Sequence, residues 1–239
     1  MGLWRVARSA PRRQSGSWVN TGLFVLMISL VGARLFYVWV NWGYFADHLI
    51  ETLMVWLGGL SWPGALIGGW LALTGLALST RGSHTRISLG WIGDRLYPIL
   101  PPLAITTWLG AWQSGIAYGA LISPGKWWSV PSLDESGIYY LHWPLQPLAA
   151  FSLLLYFAIL EMRVKPLRPV GRLSALALFG LLVNLLAASL MRVDPAPIWY
   201  GLRVDTVFAA AFLLLFLAYL LFNRLAMRIW KREATTFVP

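Results

Sequence analysis

The 239-residue chain contains no cysteine. That excludes disulfides, thiolate metal sites, a cysteine nucleophile and lipidation on a cysteine of its own, and leaves no mark of redox compartment. Charge is scarce as well, at 12% Asp, Glu, Lys and Arg against about 25% in an ordinary soluble domain. Only nine residues are acidic and three are histidine, so groups able to move protons or ligate metals are few. The sequence holds no phosphate-cradling glycine loop, zinc-ligand spacing or catalytic triad. It implies no metal and no cofactor.

What abounds is apolar. Hydrophobic residues make up 58% of the chain, tryptophan occurs 15 times, and the mean hydropathy is +0.65. The apolar residues gather into blocks at 18–40, 62–79, 96–118, 145–160, 173–191 and 206–222, each near the length that crosses a hydrocarbon core of about 30 Å. The expectation is an all-α, polytopic helical integral membrane protein with about six transmembrane helices. Between the first two blocks, residues 44–57 set Leu49, Leu53, Val55 and Trp56 beside Asp47, His48 and Glu51. That stretch is too short and polar to span, and reads as an amphipathic helix in the interface. Residues 123–140 form an aromatic loop whose Trp127, Trp128, Tyr139 and Tyr140 suit the headgroup layer.

Orientation follows from the basic residues. With the N-terminus inside, the inner segments hold Arg5, Arg8, Arg12 and Arg13, then Arg81, Arg86 and Arg95, then Arg163, Lys165, Arg168 and Arg172, then Arg224, Arg228, Lys231 and Arg232. These are 15 of the 19 Lys and Arg; only Arg34, Lys126, Arg192 and Arg203 lie elsewhere. This is a positive-inside pattern, so the net charge of +10 reports membrane topology, and nucleic acid is not an expected partner. Both termini are expected in the cytoplasm. Residues 1–17 read as a retained basic arm with no signal-peptide cleavage site, 18–225 as one transmembrane domain, and 226–239 as a cytoplasmic tail.

Several polar residues stand out. Arg34 is the only charged residue within the expected spans. Either it holds a phospholipid headgroup or a partner's carboxylate, or the span ends there and the side chain snorkels outward. The run Gly58-Gly59-Leu60-Ser61-Trp62-Pro63-Gly64-Ala65-Leu66-Ile67-Gly68-Gly69 reads either as a small-residue helix-packing face or as the floor of a lipid-headgroup site. His142 and Gln146 sit at the mouth of the fourth span, His142 as an interfacial hydrogen-bonder or a base. Asp47 and Glu51 share a helical spacing with His48 between them, giving a solvated polar face or a weak metal site. Arg192 and Arg203 are expected to pair with Asp194 and Asp205, and Asn184 to bond between helices.

Placed in order, these segments resemble the phosphatidylglycerol–prolipoprotein diacylglyceryl transferase family of bacterial inner membranes. Val31-Gly32-Ala33-Arg34-Leu35-Phe36-Tyr37-Val38 is similar to that family's GGR-x-x-YV, and the glycine run to GGMSFHGGLIG. Trp108-Leu109-Gly110-Ala111-Trp112-Gln113-Ser114-Gly115-Ile116-Ala117-Tyr118-Gly119 lies over RLGNFINGELWG, and Pro144-Leu145-Gln146 over the PSQ of HPSQLYE. Residues 165–171 resemble the family's inner loop and 201–204 the start of its final span. The resemblance implies a seven-span fold, of which this chain would lack the first span. It also implies transfer of a diacylglyceryl group from phosphatidylglycerol to a lipobox cysteine thiol, with release of glycerol phosphate. Such chemistry requires a donor to the phosphate and help in deprotonating the thiol.

The departures fall on those groups. The family's histidine in SFHGG falls on Pro63, its arginine on Trp108, its asparagines on Ala111 and Ser114, and its glutamate on Ile116. A later arginine falls on Leu185, a later glutamate on Ser189, and the histidine of HPSQ on Trp143, one place from His142. The resulting expectation is a diverged, catalytically inactive relative, with no catalytic residue assigned. It would serve as an accessory or structural subunit of a membrane complex or as a phospholipid binder in the plasma membrane. The expected lipid-binding residues are Arg34, Gly58, Gly59, Ser61, Gly64, Gln146 and Arg192, and the expected partners are phosphatidylglycerol and a membrane-protein complex. The alternative is an active transferase built on Arg34, His142 and Arg192. A small transporter is disfavoured, because the spans carry no relay acids and no inverted repeat.

Overall fold

The computed structural model describes residues 1–9, 15–80, 87–133, 138–164 and 170–236, with backbone alone for 132–133 and 223–236. Arg12, Arg13, Arg81, Arg86, Lys165 and Arg168, and most of the segment 165–171, lie outside the described residues. Helix α1 (Gly2–Ser9) precedes α2 (Ser15–Val40), a four-residue α3 (Trp42–Phe45) and α4 (Trp62–Ser79). Then come α5 (Leu89–Leu96), α6 (Leu100–Gln113), α7 (Leu145–Arg163), α8 (Arg172–Met191) and α9 (Val204–Thr236). Strands β1 (Val130–Leu133) and β2 (Tyr139–His142) form one antiparallel hairpin, and β3 (Ile198–Trp199) with β4 (Leu202–Arg203) a second. Among the described residues, α2, α4, α7, α8 and the first 19 residues of α9 are long and apolar enough to cross a membrane. The chain is an all-α polytopic membrane protein.

Two expected elements differ. Residues 96–118 are not one regular α-helix; the third block lies mostly within a helical run from Leu89 to Gln113. Helix α5 stops at Leu96, a 3-10 turn covers Tyr97–Ile99, and α6 runs for 14 residues. Pro98, Pro101 and Pro102 crowd the junction and supply no N–H, so the α-helical ladder is interrupted there while Tyr97 and Leu100 keep helical dihedrals. At 1.5 Å per residue α6 alone is about 21 Å long, and it continues the helical run that α5 begins. Residues 44–57 are likewise not one amphipathic helix, but α3 followed by 3-10 turns at Leu49–Leu53 and Val55–Leu57. Within this stretch the Glu51 and Thr52 carbonyls face Arg34, as described below.

Helices α2 and α4 run antiparallel with their backbones in contact. A Cβ added to Gly32 would lie 2.5 Å from the Gly64 carbonyl oxygen and one added to Gly68 would lie 2.5 Å from the Ile28 oxygen, while one at Gly64 would meet the Gly32 oxygen closer still. In a bilayer, where apolar side chains gain nothing by leaving lipid, such small-residue faces supply the close packing that holds helices together. The main core lies among α6, α7 and α8, where Leu153, Phe157 and Ala177 are buried. A polar link runs through it: the Trp108 indole N–H donates to Asn184 Oδ1 at 3.0 Å, and Asn184 Nδ2 donates to the Ala149 carbonyl at 3.1 Å and Ser152 Oγ at 2.9 Å. Helix α9 closes on the α2–α4 pair through Phe208 against Phe36 and Phe212 against Trp62.

At the end of the bundle where α8 begins, the buried carboxylate of Asp94 accepts from the Gly171 N–H at 2.7 Å and the Ser174 N–H at 2.8 Å. An anion on the free first-turn amides of a helix is favoured both as a cap and by the helix dipole. The reading of the sequence did not single out Asp94. Residues 2–9 of the basic arm pack at the same end. Val6 is buried, Gly2 abuts Pro98 and Ile99, Arg95 Nη1 donates to the Ser9 carbonyl at 2.6 Å, and Arg5 pairs with Glu161 at 2.8 Å.

Asp94→Ala leaves two part-buried amides without an acceptor, so it is expected to cost about 1–2 kcal/mol, read as a lowered unfolding temperature in detergent, with Asp94→Asn falling between. Gly64→Leu is expected to do more damage: α2 and α4 cannot close over the new side chain, and folded protein should be lost in fluorescence-detected size exclusion.

Candidate functional site

Arg34 sits one and a half turns before the end of α2 and is 6% exposed. Its guanidinium faces residues 51–59, which fold back over it. Nε donates to the Thr52 carbonyl at 2.9 Å, Nη1 to the Gly58 carbonyl at 2.6 Å and the Gly59 carbonyl at 3.1 Å, and Nη2 to the Glu51 carbonyl. The rings of Phe45 and Tyr37 lie 5.2 and 5.8 Å from the guanidinium carbon. Among the described residues no carboxylate pairs with this buried cation; the Glu51 side chain instead accepts from the Tyr44 hydroxyl at 2.8 Å. That carboxylate raises the Tyr44 pKa, because it stabilises the protonated phenol.

The glycines explain how the chain comes so close. Gly58 and Gly59 have φ of +87° and +74°, a region that side chains disfavour, and a Cβ on Gly59 would lie 2.8 Å from Arg34 Nη1 and closer still to the Tyr37 ring. One residue beyond Leu60, the Ser61 N–H donates to the Ala33 carbonyl at 3.1 Å. Ser61 then occupies the N-cap of α4, with no cap bond from its hydroxyl and proline in the first turn. Gly64 rests on Gly32. The structure therefore brings Arg34, Gly58, Gly59, Ser61 and Gly64 together.

Gln146 and Arg192 belong to other surroundings, and no hydrogen bond or ion pair among the described residues links them to Arg34. Gln146, 2% exposed, donates from Nε2 to the Ile116 carbonyl at 3.0 Å. Arg192 makes a two-pronged pair with Asp194 at 3.0 and 2.7 Å and reaches Asp205 at 2.9 Å. Arg203 shares Asp194 at 3.1 Å. Burial opposes the charge of Arg192, but the bonds and charges of Asp194 and Asp205 outweigh it and hold its pKa above the ordinary arginine value. For Arg203 burial prevails, with Arg192 adding to it, and the pKa is lowered. The expected loop ion pairs are thus present, with both arginines engaged by acids of this chain. The Val193 N–H donates to the Tyr118 carbonyl at 3.1 Å, tying this group to His142, whose ring lies 4.5 Å from that of Tyr118. His142 is buried, with Nδ1 3.2 Å from the Tyr140 carbonyl. His48 is exposed and stacks on Tyr44 at 4.4 Å.

An apolar groove of about 370 Å³ opens along α2 and α4, lined by Phe24, Ile28, Leu71, Ala72, Gly75, Leu76 and Ser79. Ile28 lies six residues before Arg34 on the same helix, so the groove begins about 9 Å along the axis from the cation.

The sequence model of the family described as prolipoprotein diacylglyceryl transferase matches residues 1–222. The chain belongs to that family. Among curated relatives, the phosphatidylglycerol–prolipoprotein diacylglyceryl transferase of Bacillus licheniformis is 33% identical over 127 residues, 52% of this chain and 44% of the relative. The Geobacillus kaustophilus enzyme of the same name is 43% identical over 70 residues, 28% of this chain and 26% of the relative. The Streptococcus uberis one is 24% identical over 238 residues, 94% of this chain and 86% of the relative. The matched stretches thus span less than half the length of the first two relatives.

Asp194 is the shared counter-charge of two partly buried arginines. Asp194→Ala is expected to destabilise the transferase-family fold by about 1–3 kcal/mol, because the partly buried Arg203 loses its ion pair while Arg192 keeps Asp205. Asp205→Ala, which leaves Arg192 with Asp194, should cost less; thermal unfolding in detergent ranks the two.

Proposed function

We propose that this chain is a diverged diacylglyceryl transferase-family protein retained for its fold and its contact with phospholipid, without transferase activity. It acts as an accessory subunit of a plasma-membrane complex or as a phospholipid binder, with both termini cytoplasmic. Phosphatidylglycerol and a membrane-protein complex are its proposed partners. Trp108 carries the reading. It stands where the resemblance calls for a phosphate-binding arginine, yet its side chain is 7% exposed in the apolar core among α6, α7 and α8, with its one polar atom bonded to Asn184. An indole there packs helices together and offers no charge to a leaving phosphate. Leu185, at a second such position, packs against the same core. Arg192, the other cation suited to that task, is already bound by Asp194 and Asp205.

The phospholipid site is assigned to Arg34 with Gly58, Gly59, Ser61 and Gly64. A guanidinium held by uncharged acceptors alone gains from a phosphate anion, and the α2–α4 groove suits an acyl chain. Gln146 and Arg192 are proposed as supports of the neighbouring loops.

Purified protein in phosphatidylglycerol micelles is expected to transfer no diacylglyceryl group to a lipobox peptide under conditions where an authentic family enzyme does. Transfer abolished by Arg34→Ala would install the active-enzyme reading instead. A mild-detergent pull-down with mass spectrometry should recover phosphatidylglycerol or a stoichiometric membrane partner. Recovery of a solitary, lipid-free monomer would sink the proposal.

A further inference from the structure

We infer that Arg34 is a latch: residues 49–59 form a strap held shut by the Arg34 guanidinium and released when the phosphate of a lipid headgroup takes the place of the strap's carbonyls. The inference rests on the reading of the Arg34 group as a phospholipid site and adds how access to it is controlled.

Four features converge on the strap. Its hold on the bundle is concentrated in one side chain, which bonds the carbonyls of Glu51, Thr52, Gly58 and Gly59. These acceptors carry no net charge, whereas a phosphate diester does, and charge-assisted bonds to guanidinium are about twice as strong as neutral ones. Neither 3-10 turn buries a residue, so once the carbonyls are released little apolar contact resists opening. Leu49, Ile50, Leu53 and Trp56 are 60%, 76%, 79% and 75% exposed. Side chains of that kind gain by lying in the interfacial layer of a membrane, next to Leu35, Trp39 and Trp42 on the exposed side of α2 and α3.

The fourth feature is the hinge. Gly58 and Gly59 have positive φ, and a side chain on Gly58 would meet nothing within 4 Å. The chain can therefore swing at Gly58 while α4 stays seated through the Ser61–Ala33 bond and the Gly64–Gly32 contact. The closed strap covers the cation in the absence of lipid, and the open strap exposes it to a headgroup. Its released carbonyls return to the wet interface.

Amide hydrogen exchange reads the latch directly, because the N–H groups of Glu51, Met54, Leu57 and Gly58 are hydrogen-bonded within the closed strap. The full chain is compared in maltoside micelles alone, with phosphatidylglycerol, with diacylglycerol and with soluble glycerol phosphate. Phosphatidylglycerol is expected to speed strap exchange at least about tenfold, a local opening that leaves the helices untouched, while diacylglycerol, lacking the phosphate, leaves it unchanged. Acceleration by glycerol phosphate as well identifies the phosphate alone as the key; acceleration by phosphatidylglycerol only identifies the intact lipid.

In Arg34→Ala the strap should exchange fast without lipid, and phosphatidylglycerol should add nothing, with α7 amides serving as the control for folding. Should that variant fail to fold, Arg34→Lys keeps the charge without the fork and is expected to give intermediate strap exchange. Phosphatidylglycerol that co-elutes with the protein yet leaves the strap as protected as before overturns the latch and spares the phospholipid reading. No co-eluting phosphatidylglycerol overturns both.

Discussion

The backbone contact between α2 and α4 is the constraint from which the rest of the site follows. With glycine at 32, 64 and 68, the two helices approach until carbonyls and Cα atoms touch, and no side chain at those positions would allow it. The 21 residues from 41 to 61 must then leave α2 and return to α4 almost where they left. The Ser61 N–H closes that circuit on the Ala33 carbonyl, which sets Arg34, the next residue, beneath the returning loop. A cation so placed would be costly in a dry environment. The chain answers with the carbonyl oxygens of Glu51, Thr52, Gly58 and Gly59, presented by the first 3-10 turn and by the two positive-φ glycines.

The opposite side of the molecule handles polarity in another way. Asn184, Trp108, Ser152 and the Ala149 carbonyl satisfy one another across three helices, and Arg192, Arg203, Asp194 and Asp205 form a closed charge cluster. Both groups pair most of their donors and acceptors internally, Arg203 Nε excepted, and therefore act as fasteners. Arg34 differs in having no acid partner among the described residues. Family membership, the α2–α4 glycines and a buried Arg34 with no acid partner among the described residues are the observations on which the proposed lipid contact rests.

Much was legible in the chain alone. Membrane class, the positions of α2, α4, α7, α8 and α9, the glycine face, the Arg192–Asp194 pairing and the interhelical role of Asn184 all follow from composition, block length and residue type, which are local properties. Residues 44–57 have an apolar spacing that looks helical, yet they form α3 and two 3-10 turns packed over Arg34. The third block has the hydropathy of a span, and its prolines set a 3-10 turn at Tyr97–Ile99 within the helical run. Asp94 went unnoticed because its partners, Gly171 and Ser174, are 77 and 80 residues away.

The sequence by itself determined that the chain is a helical membrane protein, where most of its long apolar helices lie, and which family it resembles, since hydrophobic runs and short motifs are written in contiguous residues. Only the tertiary structure decided what Arg34, Trp108, Gln146 and Asp94 do. Arg34 holds the carbonyls of residues 51–59, Trp108 fills a core, Gln146 braces the Ile116 carbonyl, and Asp94 caps α8. The reason is that a buried charge or hydrogen-bond donor takes its role from the partner it meets, and here most of those partners arrive from elsewhere in the chain.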